Sequence, residues 1–296
     1  SFRSVPAFEI YSTILPLPLS RMEVEHMEKD QLIPGNILFS DHSSLYTTDG
    51  NNITVVHDFS ADGSLYEFVQ TEKFELITVD SYDSCLRLFN RLKDRIINKF
   101  AGDCKKAGYR DGTEALFNWP QSVIQDNQTP CLLYLTDFFN AAVRMVTNSR
   151  TPYVTTLVKS YLKRYTGITQ DQSGQYLYIT HDVRLECFDL LRNTSIDILS
   201  SDTMFTNSAA IYDHDIGYLS SIILHEGLII ITDRNQLVVI YASMATYSAS
   251  LVCTGVAGHL SGNSSFCQLN QPVSLLEMDD DIYIGERGVI SIFRGN

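Results

Sequence analysis

Several things are scarce in this sequence. No stretch approaches the ~20 consecutive apolar residues that a helix needs to cross a bilayer. The nearest candidate, Leu219 to Thr232, is broken by His225, Glu226 and Gly227 and reads as two buried strands joined by a turn. Basic residues are few: 22 Lys+Arg stand against 35 Asp+Glu, a formal charge of −13. Such a chain lacks the cationic surface that neutralises phosphates, and anionic membranes repel it. Nucleic acid and direct membrane insertion are therefore excluded as partners. Catalytic signatures are also missing: there is no Gly-rich phosphate loop, GxSxG elbow or dinucleotide fingerprint. Nor is there a CxxC or a His/Cys cluster at zinc spacing.

What is present is enough for a full core. The 296 residues are 44% hydrophobic, which rules out a disordered chain and fits one large all-β domain spanning 1–296. The chain opens on Ser1 without a basic-then-apolar leader, so a processed protein or an excised domain is expected. Four N-glycosylation sequons begin at Asn52, Asn127, Asn193 and Asn263, all expected in turns or loops. Cysteines stand at 85, 104, 131, 187, 253 and 267. A hairpin turning near Lys93–Arg95 places Cys85 across from Cys104, and Cys253 with Cys267 would staple the loop between them. Cys131 and Cys187 remain, as a third pair or as two buried thiols. Sequons and an even cysteine count predict a glycosylated, disulfide-bonded, secreted or cell-surface protein.

One phrase recurs, an apolar or β-branched run closed by a carboxylate. It ends at Asp41, Asp80, Asp137, Asp182, Asp233 and Glu286, at spacings of 39 to 57 residues. That spacing is about one four-stranded propeller blade plus its loops. The prediction is a six-bladed β-propeller of four-stranded antiparallel blades at about 17–60, 64–103, 117–160, 161–201, 216–255 and 272–296. The last blade shows only three strands before the chain stops, which would leave an open edge. The strand-like segment at 7–16 is expected to complete it. The six acids are read as turn residues accepting backbone N–H bonds, not as catalysts.

Within residues 100–147 the residues Phe100-Ala-Gly102, Asp111-Gly112, Ala115, Phe117-Asn118, Pro120, Leu133-Tyr134, Thr136-Asp137, Asn140 and Val143-Arg144 resemble an NHL repeat. A weaker copy runs from Thr254-Gly255 through Asn270 and Pro272 to Ile282-Tyr-Ile284. The resemblance implies an NHL-type propeller of the extracellular kind, an interaction platform without a named partner. Leu133 to Asp137 also resembles the propeller signature of low-density-lipoprotein receptors, though without its regular repetition.

Two functions compete. The first is a non-enzymatic structural or binding module for protein or glycan, or for assembly with copies of itself. The second is a metal-dependent propeller enzyme, a lactonase, esterase or lyase with its site in the central channel. An enzyme would need ligands at the starts of the inner strands. Those starts include Pro120, Thr166, Leu219 and Pro272, a poor ligand set, and the seven histidines are scattered. No cofactor is expected beyond a weak calcium option at Asp213 and Asp215 or at Asp279-Asp-Asp281. His42 and His181 are read as turn or surface residues, and Trp119 as packing at the entry to the third blade or as a contact anchor.

Overall fold

Short β-branched and aromatic runs punctuated by Gly, Asn and Asp fold into antiparallel sheets of consecutive strands, the blades of a β-propeller. The computed structural model describes residues 8–11, 24–60, 63–72, 74–182, 184–199, 204–205, 219–233, 236–242, 247–253, 256–258, 260–263 and 267–295. The described strands form six sheets. In the third the order is Pro120–Gln125, Leu132–Asp137, Ala142–Thr147 and Val154–Lys159, each strand paired with the next. The other innermost strands are His26–Lys29, Glu67–Glu72, Tyr165–Gln170, Leu219–His225 and Ser274–Met278. Each innermost strand packs on the next, and His26–Lys29 packs on Ser274–Met278, so the sheets close into a ring.

The last sheet is completed as expected. Phe8–Tyr11 pairs antiparallel with Val289–Gly295, from Phe8 opposite Gly295 to Tyr11 opposite Ile292. Residues 7 and 12–16 of the expected closing segment lie outside the described residues. A two-residue strand, Gly262–Asn263, then covers the outer edge of Phe8–Tyr11. The first inner strand is described from His26 to Lys29.

The core lies between sheets. Val69, Val79 and Leu86 of the second sheet pack against Leu133, Leu135 and Val146 of the third, all buried. The recurring phrase has a specific job at this interface. Innermost strands three, four and five each carry a register shift near their start. The backbone N–H left unpaired there donates to a threonine hydroxyl of the neighbouring strand: Ser122 to Thr136 at 2.9 Å, Gly167 to Thr180 at 2.8 Å and Ser221 to Thr232 at 2.9 Å. Thr136 in turn donates to the Thr166 carbonyl of the next sheet at 2.8 Å. A buried threonine therefore both mends a bulge and joins two blades.

Gly167 shows how tightly these sheets approach. A Cβ there would lie 2.0 Å from the Ser220 carbonyl oxygen. Gly167→Ala must push the fourth and fifth sheets apart and is expected to cost about 1–3 kcal/mol. A urea midpoint for this variant equal to the wild-type value would contradict that packing.

Candidate functional site

The strand-ending acids are structural. Asp41 accepts N–H bonds from Ser43 and Ser44 at 2.8 and 2.7 Å, and Asp137 accepts the Asn118 N–H at 2.8 Å. In several sheets the acid also meets the side chain on the adjoining strand. Tyr46 donates to Asp41 at 3.1 Å, Arg87 binds Asp80 at 3.0 Å and Arg144 binds Asp137 at 2.6 Å. Ser291 binds Glu286 in the last sheet. Arg144 is fully buried and also reaches Asp111 at 2.6 Å, with its guanidinium over the Phe117 ring. The residues that carry the NHL resemblance thus converge on one buried network, which Asn140 extends with a 2.8 Å bond to Asp137.

The fourth sheet departs from the pattern. His181, expected in a turn or at the surface, is 2% exposed and stands where the other sheets carry their acid. Its strand ends at His181, paired with Arg184 as Asp233 is paired with Gln236 in the fifth sheet, so Asp182 falls in the turn at φ 50°. Glu186 occupies the position of Arg144. Burial and the Lys163 charge hold the His181 imidazole below its ordinary pKa.

A channel of about 690 Å³ runs between the innermost strands. Its lining combines Glu67, His26 and Gln121 on one side with Ser220, Ile222 and Pro272 on the other. Its acids are already engaged. Glu67 accepts from the Val123 N–H at 2.8 Å and from Ser122 at 3.1 Å, and lies 3.1 Å from His26 Nδ1. His42 lies 3.0 Å from Glu25, the other acid of the lining. Glu28, which is not part of the lining, accepts two bonds from Gln70 at 2.8 and 3.1 Å. Burial opposes charging of His26, but Glu67 and Glu28 outweigh it and lift the imidazole to about 9. His26 is therefore a cation neutralising its neighbours. Among the described residues, the group of three side chains spaced to share a metal ion lies elsewhere, at His181, Glu186 and Asp197.

On one loop face an aromatic row crosses from the second sheet toward the fourth. Tyr82 lies edge-on to Trp119 at 4.8 Å, Trp119 to Phe139 at 5.8 Å, and Phe139 to Phe138 at 5.0 Å between ring centroids. Arg164 stacks over Phe138 at 5.8 Å. Tyr82 and Phe139 are 65% and 53% exposed. Backbone bonds fix the row: the Trp119 N–H donates to Ser84 Oγ at 3.2 Å and its carbonyl accepts from Phe138 at 3.3 Å, with Trp119 at φ 59°. Sequence reasoning named Trp119 alone, because the row is assembled from three separate loops.

The other sites named from sequence fall as follows. Cys85–Cys104 and Cys253–Cys267 are disulfides with Cα separations of 5.0 and 4.5 Å. The register differs from expectation: two shifts along the hairpin place Cys85 opposite Gly102, and the chain turns beyond Gly102 to bring Cys104 back. Cys131 and Cys187 do not pair and are not both buried. Cys131 is exposed before a strand of the third sheet, whereas Cys187 packs between the fourth and fifth sheets, facing away from it. Burial pushes the Cys187 thiol up to about 11.

Asn52 and Asn193 are exposed in turns. Asn127 is exposed, but its amide donates to the Asp171 carbonyl at 3.0 Å. Asn263, expected in a loop, lies in a short strand opposite Glu9, because that edge is extended beyond the closing strand. Asp279 and Asp280 form a tight turn at positive φ, and Asp281 holds Arg294 in a bidentate pair. Asp213, Asp215, His214, His259 and Gly255 lie outside the described residues.

No protein-family model matches the chain, and no curated protein does. Solved structures show the fold. An auxiliary nutrient binding protein from Bacteroides thetaiotaomicron has a TM-score of 0.69 at 10% identity, covering 99% of this chain and 78% of that one. A protein named as a candidate gluconolactonase has a TM-score of 0.64 at 10% identity, covering 98% and 92%. The extracellular domain of a candidate one-component system from B. thetaiotaomicron scores 0.60 at 11% identity, covering 97% of this chain and 40% of that one. These likenesses define the class as β-propeller proteins. No helix among the described residues is long and apolar enough to cross a membrane.

Proposed function

We propose that this chain is a non-enzymatic, extracellular binding module: a single NHL-like propeller of six blades that holds a protein partner against the aromatic loop face. The observation that carries the reading is the row Tyr82, Trp119, Phe139, Phe138 with Arg164 beside it. Tyr, Trp and Arg are the residues on which protein interfaces concentrate their binding energy. The rings lie at 65° to 73° to one another and so share no common plane on which a sugar would stack across the row, which favours protein over glycan. Two disulfides and likeness to extracellular and nutrient-binding propellers support placement outside the cell. Exposed positions at Asn52 and Asn193 suit glycosylation: the Asn52 amide makes only a 3.4 Å bond to Asp49 within its own exposed loop, whereas that of Asn127 is tied to the Asp171 carbonyl between sheets.

The channel supports the enzymatic alternative less well, since its two acids, Glu25 and Glu67, are engaged with His42, His26, Ser122 and the Val123 N–H. The test is binding of labelled protein to intact cells, with and without prior protease treatment of the cell surface. Trp119→Ala/Phe139→Ala should weaken binding more than tenfold, and protease should abolish it. Binding unchanged by the double substitution would remove this face from the account. Binding that survives protease but not glycosidase would replace the protein partner with a glycan.

A further inference from the structure

The fourth sheet contains a polar cluster that neither the fold nor the proposed binding face uses. Glu186 and Asp197 stand directly opposite each other on neighbouring strands. Like charges so placed repel unless a cation joins them. Beside them is His181, 2% exposed, whose two ring nitrogens lack any hydrogen-bond partner. An unsatisfied buried nitrogen is costly, and its persistence here calls for a missing partner. His181 Nε2 faces Glu186 Oε2 at 3.8 Å, too far for a hydrogen bond. Two ligand atoms on one tetrahedral zinc ion lie roughly 3.3 Å apart, given metal–ligand bonds near 2 Å. One ligand atom from each of His181, Glu186 and Asp197 falls within 4.8 Å of the others, so a small contraction brings all three to an ion.

We propose that His181, Glu186 and Asp197 form a binding site for a divalent transition-metal ion of the zinc type, stitching together three strands of the fourth sheet. The donor set of one imidazole and two carboxylates suits such an ion, with the fourth position open to water. Calcium, which takes oxygen ligands, would not use the imidazole.

Lys163 is the competitor. Its ammonium lies 2.7 Å from Glu186 Oε2 and 3.6 Å from Asp197 Oδ1. Its side chain is 30% exposed and follows the loop entering this sheet, so it can withdraw to water when an ion arrives. Tyr165 and Asp182 complete the surroundings, the hydroxyl 3.4 Å from Glu186 and the carboxylate 3.7 Å from His181 Nδ1. In the second and third sheets an arginine fills the corresponding position and closes on its acid directly. Here the polarity is reversed and the two side chains do not touch.

The test is titration of the metal-stripped intact chain with Zn²⁺ by calorimetry, together with the visible spectrum of the Co²⁺ form. One equivalent should bind and the Co²⁺ form should show tetrahedral absorption. Lys163→Met, which removes the competing charge at a half-buried position, should bind at least tenfold tighter. Asp197→Asn, on an exposed side chain, should bind at least tenfold more weakly, and His181→Ala should lose the Co²⁺ spectrum. Because His181 is buried, the Lys163 and Asp197 variants keep the test valid if His181→Ala fails to fold. Absence of one-equivalent binding in both wild type and Lys163→Met would overturn the proposal. Binding indifferent to Asp197→Asn would overturn it equally.

Discussion

Arg144→Leu should destabilise the protein by about 3–5 kcal/mol. The guanidinium is fully buried, 2.6 Å from Asp137 and 2.6 Å from Asp111, and it also donates to the Arg110 and Leu116 carbonyls at 2.8 and 3.3 Å. Removing it strands the buried Asp137 carboxylate, whose pKa burial already pushes upward against the bonds from Asn140, Asn118 and Arg144. Two carbonyls also lose a donor. The loss is specific to the orphaned charge, so Arg144→Leu/Asp137→Asn should recover part of it. Urea unfolding of the single and double variants measures both effects. A single variant within about 0.5 kcal/mol of wild type would show that the network does not hold this sheet.

The second large effect is a fall in stability between pH 6.5 and pH 9. The folded state lifts His26 from 6.5 to about 9, because Glu67 and Glu28 outweigh the burial that opposes its charging. A base with a raised pKa stabilises fully below its unfolded value, and that contribution disappears as pH rises through the folded value. The shift corresponds to about 3 kcal/mol. Glu286 acts in a lower window. Burial raises it from 4.5 to about 7 against its bonds from Ser291 and the Asn270 N–H. The folded state then holds a proton that the unfolded state releases, so stability also falls as pH rises from 4.5 to 7. Below about pH 6.5 the lowered pKa of His181 opposes the Glu286 effect, so the clear decline in melting temperature is expected from pH 7 to 9, and His26→Gln should flatten it. An unchanged slope above pH 7 in His26→Gln would assign the effect to other groups.

Much of the fold was legible in the sequence because the strand rhythm is local. Runs such as Leu132–Asp137 and Leu228–Asp233 carry β-branched residues between turn signals, so strand positions and the closure by Phe8–Tyr11 follow from the chain itself. The phrase closed by a carboxylate was visible, but the role of Thr136, Thr180 and Thr232 near its end was not. Thr136 and Thr180 serve backbone groups on other strands, which no spacing along one strand reveals.

Register shifts were equally hidden. They moved Cys85 opposite Gly102 without breaking its bridge to Cys104, and in the fourth sheet the strand ends one residue before Asp182, so that His181 is buried in place of the acid beside it. The aromatic row and the His181, Glu186 and Asp197 cluster each join residues from separate turns or strands. Composition announces neither. Cys131 and Cys187 were grouped by elimination, a rule that ignores which side of a sheet a strand residue faces.

The account rests on this chain working outside the cell as an oxidised propeller. Peptide mapping of the protein from its native source, by mass before and after reduction and enzymatic deglycosylation, addresses that directly. The account predicts peptides joined through Cys85–Cys104 and Cys253–Cys267, free thiols at Cys131 and Cys187, and sugar at Asn52 or Asn193. A fully reduced chain bearing no glycan would contradict it.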